Sequence, residues 1–315
     1  MKGMKKPELM APAGDHTMLT AVINAGADAV YFGVDKLNMR SKASNFTIDE
    51  LPGITSYCKQ KNVKTYLTLN TLVYEDELSE ADDIISAAKE SGIDKIICWD
   101  LAVAEKCRNH SIPFCISTQA SVSNSLSANF YKSIGAVRIV LARECSLEEI
   151  KKIRAKTDLE LEVFIHGAMC IAVSGRCFMS HHLFDKSANR GECIQPCRRE
   201  YEVYDPSIKK SMVIGNDYVL SAKDLCTIEF IDQLLDAGIN SFKIEGRKRS
   251  PEYAAKVTSV YRRAIDLYYE SRLTGEIKKK FLAELGEVYN RGFSSGFYFD
   301  KPSSEDYADI YGSKA

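Results

Sequence analysis

The sequence predicts an α/β fold, a TIM-like (β/α)8 barrel with a long cysteine-rich insertion after its seventh strand. Two observations carry that expectation. Eight short runs of apolar, β-branched and aromatic residues alternate with amphipathic stretches along the chain. Such alternation marks a parallel sheet covered by helices. The runs are also apolar at consecutive positions, as strands buried on both faces are. Alternation does not by itself demonstrate closure, so an open doubly wound sheet stands as the alternative.

The strands are expected at residues 8–11, 29–34, 64–70, 95–99, 113–118, 137–142, 159–165 and 241–245. Helices are expected at 16–25, 48–61, 77–91, 102–109, 126–133, 147–155, 227–237 and 252–270. Start signals precede several of them: Thr47, Ser146 three residues before Glu149, and the pair Ser250-Pro251. Gly26, Gly92, Gly135 and Gly238 stand where helix C-caps favour glycine. One barrel domain is expected over residues 7–300, with a polar tail at 301–315.

The beat breaks once. About sixty residues, Gly167 to Cys226, separate the seventh strand from the next helix. An excursion that long from a strand's C-terminal end is usually functional. Its second half, residues 201–205 and 212–220, reads as a hairpin turning near Pro206 and Lys210.

The 315 residues are 45% hydrophobic and 27% charged, with a net charge of −1. That is an ordinary globular composition, and bulk charge selects no partner. No apolar run reaches membrane-spanning length, and none follows the basic start as in a signal peptide. A cytoplasmic protein without a membrane partner is expected. In a reducing compartment its ten cysteines are not expected to form disulfides. Cys58, Cys98, Cys107, Cys115 and Cys145 fall on predicted elements or a strand end and read as core filler.

The insertion holds the other five. Cys170, Cys177, Cys193 and Cys197 are spaced C-x6-C-x15-C-x3-C. Loops offer no core for a free thiol to fill, so the clustering argues for metal coordination. Spacing alone leaves an iron–sulfur cluster and zinc level, because only the last two form a tight pair. Cys226, which opens the next helix, is a rival fourth ligand.

Residues 162–170 (EVFIHGAMC), followed after four residues by 175–180 (GRCFMS), resemble the signature of peptidase family U32, the collagenase-like proteases. Residues 11–14, 25–33, 191–198, 220–226, 242–247 and 290–293 extend the resemblance over roughly residues 7 to 297. Longer members carry an extra C-terminal domain that this sequence is expected to lack. The family name implies proteolysis, although no H-E-x-x-H or G-x-S-x-G motif is present. Better-understood members imply another chemistry. They bind a 4Fe–4S cluster through four cysteines and support hydroxylation without dioxygen, with prephenate as oxygen donor. Their substrates are the wobble uridine of tRNA, a cytidine of large-subunit ribosomal RNA, and ubiquinone precursors. By that resemblance Cys170, Cys177, Cys193 and Cys197 are the cluster ligands, with zinc as the alternative and Cys226 in reserve.

Residues at strand C-terminal ends face a barrel's active site. Lys243 and Glu245 alternate with apolar neighbours and should point inward, with His166 as a further acid–base candidate. Prephenate is a dicarboxylate and needs cations. Arg143, Arg176, Arg190 and Arg247 are the candidates, with Gln119 beside them. Basic residues on the same end suit RNA phosphates. The expected function is hydroxylation of RNA, foremost a tRNA uridine. A collagenase-like peptidase, a quinone-precursor hydroxylase and a non-catalytic subunit of a homo- or hetero-oligomer are the alternatives.

Overall fold

The computed structural model describes residues 6–41, 44–212 and 218–307. Seven strands pair in parallel, each with the next in sequence: β1 (Glu8–Pro12), β2 (Ala29–Phe32), β3 (Lys64–Leu69), β4 (Lys95–Cys98), β5 (Phe114–Ile116), β6 (Arg138–Val140) and β7 (Glu160–Gly167). The insertion then contributes a hairpin, β8 (Val203–Asp205) with β9 (Lys210–Met212), and β10 (Asp224–Cys226). The next strand, β11 (Ser241–Ile244), pairs in parallel with both β7 and β1. That double pairing closes an eight-stranded parallel barrel and rules out the open doubly wound sheet.

Helices α1 (His16–Asn24), α2 (Leu51–Gln60), α3 (Leu78–Glu90), α4 (Leu101–Asn109), α5 (Ser125–Ser133) and α6 (Leu147–Arg154) follow the first six strands. Helix α7 (Met179–Phe184) lies in the insertion, and α8 (Ile231–Asp236) precedes β11. Helices α9 (Pro251–Tyr269) and α10 (Gly275–Gly286) complete the outer layer, and β12 (Phe293–Ser294) pairs in parallel with β10. The start signals work as expected. Ser146 and Glu149 cap each other's backbone N–H groups, and the Ser250 side chain accepts from Tyr253 N.

Two packed regions hold the barrel. Apolar side chains fill the space between strands and helices, including Cys58, Cys98, Cys107 and Cys145. Inside the barrel sits a smaller cluster of Met10, Ala29, Tyr31, Tyr66, Ile97 and Cys115. Below it, buried Arg138 meets Glu8 at 2.6 Å, Glu160 at 2.8 Å and Glu162 at 3.1 Å. All five scattered cysteines are therefore buried, as core filler requires.

Four elements were not expected from the sequence: the short strands β10 and β12 and the helices α7 and α10 carry too little periodicity to stand out from their flanks. The hairpin turns at residues 206–209, but its second strand begins at Lys210; most of the expected limb at 212–220 lies outside the described residues. Residues 301–307 are tied back to the barrel through a bridge of Tyr307 with Ala222 and through Lys223 N donating to Asp306 O. Among the described residues no helix is long and apolar enough to cross a membrane.

Candidate active site at the barrel mouth

The C-terminal strand ends and the insertion enclose a cavity of about 160 Å³. Its floor is Lys243 on β11. The Lys243 ammonium lies 3.1 Å from a Glu162 oxygen and 4.4 Å from the centre of the Tyr31 ring. Two residues on, Glu245 forms part of the wall. Its carboxylate accepts from Arg40 at 2.8 Å and from the Tyr31 hydroxyl at 3.3 Å. Burial pushes the Glu245 pKa up, but Arg40, Arg143 and Arg247 outweigh it and hold the group at about 2. Arg143 lies 3.8 Å above the Phe164 ring and donates to Ala168 O at 2.6 Å. Arg247 donates to Asn38 and Thr68, both at 3.2 Å, while its buried Nε finds no partner among the described residues. Burial lowers the Arg247 pKa to about 10. Gln119 lines the cavity and accepts from the Ser117 hydroxyl.

Cys170, Cys177, Cys193 and Cys197 all line the same cavity. Three of these sulfurs accept a backbone N–H from two residues further on: Ala172 N at 3.4 Å from Cys170, Met179 N at 3.3 Å from Cys177, and Gln195 N at 3.4 Å from Cys193. Such donors stabilise a thiolate. Burial pushes the free Cys170 and Cys197 thiols up. Among the described residues no three His, Cys, Asp or Glu side chains converge closely enough to hold one metal ion. The four thiols share a cavity without meeting at a point.

Two glycines allow the insertion to close over the barrel. Gly167 ends β7 at φ +110°, and a Cβ there would stand 2.6 Å from Glu245 O. Gly191, at φ +86°, brings the cysteine loop so near Asn38 O that a Cβ would lie 2.3 Å away. The Arg198 guanidinium ties the loop together, donating to Ser221, Ala222 O and Met169 O.

The structure corrects several expectations. His166 faces away from the cavity, among Tyr253, Tyr261 and Phe293. The cause is a bulge: Lys243 pairs with Phe164 but Ile244 pairs with His166, leaving Ile165 as an extra residue on β7. One added residue reverses the inward–outward alternation. Burial, with Arg249 adding to it, then lowers the imidazole pKa to about 3. Cys226 likewise faces the outer core, 3.7 Å from the Tyr261 hydroxyl, and its thiol is pushed up to about 11 by burial. It does not join the other four. Arg190 is consumed by a two-pronged pairing with Glu77, and Arg176 reaches Ser121 at 3.0 Å on the rim; neither lines the cavity.

Lys243, Glu245, Gln119, Arg143 and Arg247 are thus brought together with the four thiols. Arg40 and Tyr31 were not anticipated. Tyr31 carried a signal, since it alternates inward on β2. Arg40 carried none, because it lies beyond any predicted element. In all, six cations face a single carboxylate, Glu245, among the described lining residues.

Fold and site define a TIM-like barrel protein with a thiol-lined, cation-rich mouth cavity. The chain belongs to peptidase family U32, whose model matches residues 14–308. It is 42% identical to an uncharacterized protease of Methanocaldococcus jannaschii, over 93% of this chain and 73% of that one. It is 40% identical to a collagenase of Porphyromonas gingivalis, over 98% and 77% respectively. It is 39% identical to tRNA hydroxylation protein P1 of Bacillus subtilis, over 96% and 73%.

Proposed function

We propose that the protein supports hydroxylation of RNA at a tRNA uridine, without dioxygen and with prephenate as the second substrate. The observation that carries this reading is one cavity shared by four thiols and six cations around a single carboxylate. The thiols suit a 4Fe–4S cluster, which would supply electron-transfer chemistry at the mouth when bound. Arg143, Arg247 and Lys243 are this chain's cations for a dicarboxylate. Glu245, ionised at neutral pH, holds Arg40 in place and has no proton to give. The likeness to a tRNA hydroxylation protein supports RNA as substrate, and with it a cytoplasmic location.

The test joins two measurements. Anaerobically purified protein should carry roughly four iron and four sulfide per chain. Deleting the gene should remove 5-hydroxyuridine from tRNA nucleosides analysed by mass spectrometry. Stoichiometric zinc without iron, or unchanged nucleosides, would overturn the reading. The names of the collagenase and protease relatives favour a peptidase instead. Nucleophilic hydrolysis needs an imidazole beside a hydroxyl or thiol. Among the described residues no imidazole hydrogen-bonds such a group of the cavity. Gelatin cleavage by the pure protein would restore that reading.

A further inference from the structure

The insertion is unusually apolar on its outside. Among the described residues fifteen large hydrophobic side chains are exposed, and seven of them lie between residues 173 and 208. Among the described residues the most exposed aromatic ring is Phe178, at 76%. Its neighbours on either side, Cys177 and Met179, line the cavity, so Phe178 is held at the cavity's edge although its own ring is not part of the lining. Guanidinium groups of the insertion also lie against aromatic rings. Arg199 lies 4.5 Å over the Phe184 ring, and Arg176 lies 5.9 Å from the Trp99 ring. A guanidinium beside a ring can still turn N–H groups to phosphate oxygens, and Arg176 already spends one of its own on the Ser121 hydroxyl at 3.0 Å.

We propose that this rim is where RNA docks, and that the Phe178 ring stacks on the base beside the one that enters the cavity. The proposal rests on the RNA reading above. A base inside a stack cannot reach a cavity at the barrel mouth and must be turned out of it. Its neighbour then loses a stacking partner, and an exposed ring at the cavity edge replaces that partner. The flanking arginines hold the backbone while the base leaves. A second copy of this chain seated on the same rim would cover the cavity that the RNA must reach. The occupant is therefore a single-stranded RNA loop.

The test uses the full chain purified anaerobically. Fluorescence anisotropy measures its binding to a labelled RNA hairpin with a uridine-containing loop, and to a blunt duplex of the same composition. Phe178→Ala should weaken hairpin binding about tenfold, the scale of one lost base–aromatic stack, and leave duplex binding unchanged. Phe178→Trp should restore hairpin binding. Melting temperature and iron content should match the wild type in both variants, because the ring is exposed. Equal hairpin binding by wild type and Phe178→Ala would overturn the docking proposal and leave the RNA reading standing. Conversion of a dimer to a monomer by Phe178→Ala, seen by sedimentation, would overturn it in favour of a protein interface. No hairpin binding by the wild type would defeat the docking proposal and the RNA reading together.

Discussion

Lys243 and Glu162 pair at 3.1 Å inside the barrel between the neighbouring strands β11 and β7, and Glu162 has no exposed surface. The other Glu162 oxygen accepts from Arg138, also at 3.1 Å. One carboxylate from β7 therefore balances buried cations from β6 and β11. Glu162→Gln leaves both without it, and stranding a buried charge costs about 3 kcal/mol or more. Urea unfolding should show that loss, and an unchanged midpoint would contradict it. Arg138 keeps Glu8 and Glu160, so Lys243 should be the more disturbed partner, with the cavity floor altered before the barrel fails.

Glu245 predicts a pH dependence. Its folded pKa is about 2, below its ordinary value of 4.5. A carboxylate depressed on folding contributes stability that is fully present above the unfolded pKa and is lost as pH falls toward the folded one. Over this interval the contribution reaches about 3 kcal/mol. Glu245→Gln should be markedly less stable than wild type at about pH 6, and the gap should narrow toward about pH 3. Thermal unfolding of both proteins across that range tests this; a constant gap would count against it.

The cysteines separate cleanly. Cys197→Ser should lose iron and the visible absorption of anaerobic protein. Cys226→Ser should keep both, since its side chain faces Tyr261 and not the cavity. The small cost of a buried hydroxyl, about 1 kcal/mol, is eased by that neighbouring phenol. Iron loss in Cys226→Ser alone would reverse the assignment.

His166 should be silent in catalysis. An imidazole held near pKa 3 stays neutral throughout the working range and gives no inflection between about pH 5 and about pH 8. His166→Phe, which suits its aromatic surroundings, should retain activity and its pH profile. Lys243→Met, on the cavity floor, should abolish activity. A loss beyond about tenfold in a folded His166→Phe protein would return the histidine to the chemistry.

The eight barrel strands were legible because each is a dense apolar run, and the insertion was legible because it interrupts a regular beat. The four thiols could be picked out by their placement in a loop. What could not be read depends on contacts between distant segments. His166 was misplaced because a bulge is set by how β7 meets β11, and strict alternation cannot foresee the extra residue Ile165. Arg40 escaped notice because only folding carries its loop to Glu245, 205 positions away. Arg190 looked like a substrate ligand until Glu77 claimed it, and no local pattern announces a salt bridge spanning 113 positions.

The pairing of β10 with β7 sets Leu225 beside Gly167 and Cys226 beside His166. The two necks of the insertion are therefore clasped together on the barrel itself. What lies between them can lengthen or shrink cheaply, since doubling a flexible loop costs only about 0.6 kcal/mol. The hairpin and the outer rim can be redrawn while the charged floor beneath them is inherited intact. A single scaffold could in this way acquire new targets by altering its collar and leaving its foundation alone.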